Sequence, residues 1–267
     1  MKQLLITGAS GFLGSYLCQE AKNHFEIITT SRNDASNPLD LADEKALKIF
    51  LSTLKVDGII HLAANGFINY CEENPEETHQ LNVRATEILS KYACKLQIPF
   101  VFTSTDQVFD GKQSFYKETD QPKPLNEYGK QKLEAEKLVL KNKGIVCRMP
   151  LMIGANGGYQ KTLIQKLQAG EPQTLFIDEW RSVLSVELAA KALLQALNWK
   201  SDVYHLGGPK RINRYELALK ISKGIKNFDT TLLKKGKQSD IQFFAQRPAD
   251  VSLNSDKALG LGFVNVE

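Results

Sequence analysis

Cysteine is scarce in this chain: Cys18, Cys71, Cys94 and Cys147 are the only four, and no two form a C-x-x-C pair. That removes the commonest thiol-based metal and redox motifs, and no metal site is expected. Without a disulfide framework a reducing, cytoplasmic setting fits best. Cys18, Cys94 and Cys147 fall where core positions are expected, as buried free thiols. Long apolar runs are missing as well; none approaches the roughly 20 residues that a membrane-spanning helix needs. The apolar run behind Lys2 is too short for a signal peptide and is broken by a glycine turn, so it reads as a strand. Neither sign of charge dominates. The net charge of +4 is small and scattered, which argues against nucleic acid as a partner but admits an anionic small ligand. No internal repeat or low-complexity segment occurs. With 42% apolar and 24% charged residues disorder is excluded, and 267 residues suffice for one large domain or one domain with a small appendage.

What is present begins at Thr7–Gly14, Thr-Gly-Ala-Ser-Gly-Phe-Leu-Gly. It follows the short apolar run Leu4-Leu5-Ile6 and opens a helix-spaced segment, Phe12–Lys22. Strand, glycine turn and helix N-terminus make a pyrophosphate site. Gly8 supplies a positive φ, Gly11 admits backbone N–H groups to the phosphate oxygens, and Gly14 allows close helix–strand packing. The spacing is G-x-x-G-x-x-G, and such a turn also occurs for packing alone. A second strand, Phe25–Thr30, ends in Ser31-Arg32-Asn33, where NAD-binding chains place an acidic residue for the ribose hydroxyls. A guanidinium beside small hydroxyls suits a 2′-phosphate, which favours NADP(H) and leaves NAD(H) open.

Downstream, strands alternate with helices. A helix is expected near Asp43–Leu54, a strand over Gly58–Leu62 followed by Ala63-Ala64, and one long helix from Pro75 to Lys95 carrying Asn82. A fourth strand begins at Pro99 and ends in Thr103-Ser104-Thr105. A polar loop follows over Asp106–Pro124, then a helix over Asn126–Lys141 and a fifth strand over Gly144–Cys147. The alternation predicts an α/β protein with a doubly wound parallel sheet of Rossmann type. Beyond residue 151 the pattern loosens into helices near Gln160–Leu167, Val186–Leu197 and Arg214–Ile225. Residues 1–150 thus read as a dinucleotide-binding domain, with 185–206 returning to it, and 151–267 mainly as a smaller mixed substrate-binding lobe. The lysine-rich stretch Lys220–Lys237 reads as a solvated face.

Tyr128 and Lys132 stand four residues apart, neighbours on one helical face. A free phenol with pKa around 10 is a poor acid or base near neutrality, and a nearby cation would lower that value. Lys132 is also long enough to reach a nicotinamide ribose. Thr105, at a strand end, offers a hydroxyl to a substrate carbonyl. The pair alone is weak; its force comes from the order of glycine turn, strand-end Thr and then Tyr with Lys.

At Thr7–Gly14, Asp40-Leu41, His61–Ala64, Asn82-Val83, Ser104-Thr105 and Tyr128 with Lys132, the chain resembles the extended short-chain dehydrogenase/reductase family almost end to end. The resemblance implies Thr105, Tyr128 and Lys132 as the catalytic set, and Asn82 as a residue ordering the helix beneath the site. It implies a cofactor held by Gly8, Ser10, Gly11, Phe12, Leu13, Gly14, Ser31, Arg32, Asp40, Leu41, Ala63, Ala64, Asn82, Tyr128 and Lys132. Arg181–Ala189 and Arg247-Pro248-Ala249-Asp250 resemble the two segments with which nucleotide-sugar members grip a diphosphate. Thr105, Asp106, Arg181 and Arg247 are therefore the expected substrate contacts. Ser104–Gly111, Asn69–Glu72 and the Arg247-Pro248 tail with Leu253-Asn254 look most like the dTDP-4-dehydrorhamnose reductase branch.

Dehydratases of the family carry Asp-Glu after the catalytic Thr. Here the pair is Asp106-Gln107, and an amide exchanges no proton at neutral pH, so dehydration is disfavoured. Asp178–Val186 is nearer the general nucleotide-sugar pattern, and the short chain implies a trimmed lobe. The implied activity is NADPH-dependent reduction of a nucleotide-linked 4-keto-6-deoxy sugar. The alternatives are an epimerase on the same scaffold and a non-catalytic subunit resembling that of methionine adenosyltransferase. A homodimer stays open.

Overall fold

Alternation along the first strand sets the architecture. In β1 (Lys2–Thr7), Leu4 and Ile6 belong to one core and Leu5 to another, and all three are fully buried. A strand apolar on both faces needs helices on both faces of its sheet. The computed structural model, which describes residues 1–32, 36–226 and 228–266, has that arrangement. After β1 come α1 (Phe12–Ala21), β2 (Phe25–Thr30), α2 (Glu44–Thr53), β3 (Gly58–His61), α3 (Ile68–Glu73) and α4 (Pro75–His79). Then follow a π-helical turn (Gln80–Ala85), α5 (Thr86–Leu96), β4 (Phe100–Thr105), α6 (Glu127–Lys141) and β5 (Ile145–Met149). The remainder holds β6 (Met152–Ile153), α7 (Gly158–Gln168), β7 (Gln173–Phe176), β8 (Trp180–Arg181), β9 (Leu184–Ser185) and α8 (Val186–Ala196). It ends with β10 (Val203–His205), β11 (Ile212–Asn213), α9 (Arg214–Ser222), β12 (Leu233–Gly236) and α10 (Asp256–Leu259).

The main sheet is parallel throughout, in the order β2-β1-β3-β4-β5-β10. The chain turns one way from β1 to β2 and the other way to β3. Ligands of doubly wound sheets sit in the crevice at the strands' carboxyl ends where that reversal occurs. One face packs on α1 and α8 through Leu17, Ala189 and Leu193. The opposite face packs on α2, α5 and α6 through Leu47, Leu89 and Val139. A separate core of Leu163, Leu167, Leu217, Ile221 and Leu233 holds the lobe built by α7, α9, β7 and β12. The C-terminal tail returns to the loop after β4 by bridges Lys112–Asp250 and Tyr116–Leu253.

Three differences from the sequence expectation have plain causes. The helix expected from Pro75 to Lys95 is interrupted by the π-turn, which bulges at Asn82. Helix α3 is short and occupies what reads as connection. Cys71 and Cys147 are buried, but Cys18 and Cys94 are only half-buried. Each follows the core residue of its helix, Leu17 or Ala93, and so is rotated away from the sheet. Lys220, Lys223, Lys226, Lys234, Lys235 and Lys237 are all exposed. Among the described residues no helix is long and apolar enough to cross a membrane, and no cluster of His, Cys, Asp or Glu could hold a metal.

Candidate active site

The glycine turn forms the floor of a cleft of about 490 Å³ at the switch point. Gly8 has φ 71°, and a Cβ there would lie 2.8 Å from the Ala63 nitrogen. Gly11 closes the turn by donating its N–H to the Gly8 carbonyl at 3.0 Å. A Cβ at Gly14 would meet the Gly8 oxygen at 2.2 Å, so α1 lies against the turn. The N-terminus of α1 has neither a side-chain cap nor an acidic residue in its first turn. Its N–H groups and the positive end of the helix dipole are thus left to an anion. Gly8, Ser10, Gly11, Ser31, Arg32, Asp40, Leu41, Ala63 and Ala64 line the cleft, together with Thr30, Asn65, Glu77 and Thr78. Arg32 is exposed at its rim; Asn33 lies outside the described residues. Phe12, Leu13 and Gly14 are placed elsewhere. Leu13 is in the core, and the Phe12 ring sits in a socket formed by Gly154, Gly157 and Gly158.

These features fit a dinucleotide with a 2′-phosphate: a narrow floor, an uncapped helix end and a guanidinium at the far rim.

The trio expected to be catalytic comes from two elements. Thr105 ends β4, and Tyr128 and Lys132 sit on the first turns of α6, whose N-cap Asn126 accepts the Gly129 N–H at 2.9 Å. Tyr128 is half-buried, and a Cβ at Gly66 would lie 3.9 Å from its hydroxyl, which places the phenol beside the Ala63–Asn65 wall of the cleft. Burial lifts its pKa above the ordinary phenol range, and a hydrogen bond with Thr105 partly opposes that. Burial also pulls Lys132 down to about 7, with Glu136 opposing. The Lys132 ammonium lies 3.9 Å from the centre of the Phe102 ring. The sequence suggested that Lys132 would lower the phenol. Instead the phenol rises, because desolvation outweighs the groups that act on it. A phenol protonated at neutral pH is suited to donating a proton.

Behind the trio, His61 is fully buried between Thr7 (2.6 Å) and Thr86 (3.0 Å). Burial and the Lys132 charge drive its pKa to about 3, so it is neutral. Thr86 donates to the Asn82 carbonyl at 2.9 Å, and therefore accepts from the His61 Nε2–H. Asn82 itself is fully buried, away from the cleft lining.

On the substrate side Asp106 and Arg181 are buried and face one another, Nε to Oδ2, at 3.4 Å. Burial raises the Asp106 carboxyl and Arg181 opposes it. Arg181 also reaches Glu179 at 3.1 Å, and Arg214 reaches the same carboxylate at 2.8 Å. Burial alone would lift Glu179, but Arg214 and Arg181 outweigh it and leave its pKa below the usual range. The two arginines of the expected clamp stand in different surroundings. Arg181 is spent on Asp106, Glu179 and the Trp180 carbonyl at 2.7 Å. Arg247 donates to Asn69 at 3.2 Å and keeps a buried Nε without a partner. The structure does join the two segments, since Arg181 contacts the carbonyls of Pro248 and Ala249. Glu179 and Arg214 were missed in the sequence. Glu179 stands two residues before Arg181, just ahead of β8, and that spacing was the one signal available.

A family model described as the RmlD substrate binding domain matches residues 1–266, and the chain belongs to that family. Among curated relatives, methionine adenosyltransferase 2 subunit beta of Xenopus laevis is 32% identical, over 81% of this chain and 70% of its own length. The probable low-salt glycan biosynthesis reductase Agl14 of Haloferax volcanii is 28% identical, over 91% of this chain and 86% of its own. The crystal structure of a hypothetical dTDP-4-dehydrorhamnose reductase from Sulfolobus tokodaii superposes with a TM-score of 0.88 at 31% identity, covering 99% of this chain and 97% of that one.

Proposed function

We propose that this chain is a reductase of a nucleotide-linked 4-keto-6-deoxy sugar, using NADPH. The observation that carries the reading is the Tyr128 hydroxyl standing beside the Gly66 end of the cleft wall, with Thr105 near enough to act on it. When bound, NADPH would supply hydride to the carbonyl carbon. Thr105 orients the carbonyl oxygen, and Tyr128 donates the proton that the nascent alkoxide needs. Lys132, four residues on along the same helical face, would hold the ribose. Gln107, which has no acid–base chemistry, supports reduction over dehydration. In this reading Arg247 meets the substrate's diphosphate, and the enzyme works in the cytoplasm, as a monomer or a homodimer.

Purified protein mixed with dTDP-4-keto-6-deoxyglucose should consume NADPH in proportion to sugar reduced. Turnover without net NADPH loss would instead mark an epimerase. A second reading follows from the methionine adenosyltransferase relatives: a non-catalytic subunit, marked by NADPH binding, copurification with a larger enzyme and no keto-sugar turnover. Arg32→Ala should abolish the preference for NADPH over NADH in a thermal-shift comparison, because the 2′-phosphate loses its guanidinium. An unchanged preference would remove Arg32 from the site.

A further inference from the structure

Gln131 lies between Tyr128 and Lys132 on α6, is 2% exposed, and faces neither the cleft nor solvent. Its carboxamide is fully engaged. Nε2 donates to the Pro75 carbonyl at 2.9 Å and to Thr78 Oγ1 at 3.0 Å. Oε1 accepts from Asn82 Nδ2 at 2.8 Å. Asn82 is equally committed: Nδ2 also donates to the Asn65 carbonyl at 3.1 Å, and Oδ1 accepts the Asn65 N–H at 2.8 Å. Both backbone groups of Asn65 are thus held by one side chain, and that side chain is held by Gln131. Flipping either amide would set donor against donor and acceptor against acceptor, so the orientation of each is fixed by the other.

The two ends of this relay are functional surfaces. Asn65 follows Ala63 and Ala64 in the cleft wall, and its neighbour Gly66 abuts the Tyr128 hydroxyl. Thr78 lines the same cleft from α4. The helix that carries the phenol and the ammonium is therefore pinned, from between those two residues, to the strap the cofactor would lie against. We infer that Gln131 is a positioning residue, setting Tyr128 and Lys132 against the Ala63–Gly66 strap through Asn82. This rests on the reductase reading for its kinetic consequence and on hydrogen bonding alone for its structural one.

Gln131→Met keeps chain length and removes every donor and acceptor. Misplacement of reacting groups by fractions of an ångström should lower kcat by about tenfold or more, with the KM for NADPH changed by less than about threefold. Amide exchange at Asn65 and Gly66 should quicken more than elsewhere in α6, and Tm should fall only modestly, from the Asn82 amide and Pro75 carbonyl left without their partner. Thr78→Val, a milder change of one partner, should move kcat in the same direction by a smaller factor. Combining Gln131→Met with Asn82→Ala should lose no more than the worse single variant, because both cut one relay.

Wild-type kcat in Gln131→Met, additive losses in the double variant, or a parallel fall of kcat, cofactor affinity and Tm would each overturn the inference. If the wild-type protein turns over no keto-sugar, the reductase reading fails by itself. The exchange rate at Asn65 then still decides the relay: faster in Gln131→Met supports it, unchanged refutes it.

Discussion

Tyr128→Phe is expected to lower turnover by roughly 10²- to 10⁴-fold, the usual worth of a positioned general acid, with NADPH affinity near that of the wild type. The substitution removes one oxygen from a half-buried side chain whose ring packing is retained. What goes with it is a proton donor that Thr105 acts on and that stands next to Gly66. In the proposed reading, cofactor binding rests on other groups, the Gly8–Gly11 turn, the α1 N-terminus and Arg32, which stand at the cleft floor and rim. Steady-state kinetics and a direct NADPH titration separate the two effects. An equal fall in both would contradict the division of labour.

Lys132→Met should also abolish most turnover, yet leave the fold at least as stable as the wild type in mildly acidic solution. The sign follows from burial. In the native protein Lys132 is depressed to about 7, against an ordinary 10.5 in the unfolded chain. Between those values the unfolded state binds the extra proton, so this residue's contribution to stability rises with pH across the window. It is fully present above 10.5 and lost as pH falls through about 7. Methionine carries no such penalty and still packs on Phe102. Denaturant unfolding below pH 7 and again near 10.5 should show the wild type gaining on the variant as pH rises. A variant less stable at every pH would mean that Lys132 holds the fold rather than the chemistry.

The sheet was legible because its inner strands are buried on both faces and its strands are bounded by unambiguous breaks. Phe25–Thr30 matches its predicted span, and α2 and α6 begin at the caps Asp43 and Asn126, whose side chains accept the expected N–H groups. The interruption at Asn82 was not legible, since a π-turn changes no apolar period by more than one residue and its cause is tertiary. Nor could residue order reveal that Arg181 would be consumed by Glu179 and Asp106. That depends on β4, β8 and the tail meeting in space. The Tyr128 phenol was expected to be lowered and is raised instead, because spacing locates a neighbour and says nothing of how much water is stripped from both groups.

The sixth strand has a consequence for how this polypeptide can be divided. After β5 the backbone leaves to lay down α7 and β7, comes home as α8 and β10, and leaves again for α9 and β12, so the lobe is two excursions rather than an appendage. A fragment stopped at the end of β5 would bare a flat rim of Val146, Cys147 and Arg148 whose amides and carbonyls lack their neighbour, the kind of margin that recruits foreign chains. Sheet and lobe are thus sewn together by one thread that passes between them more than once.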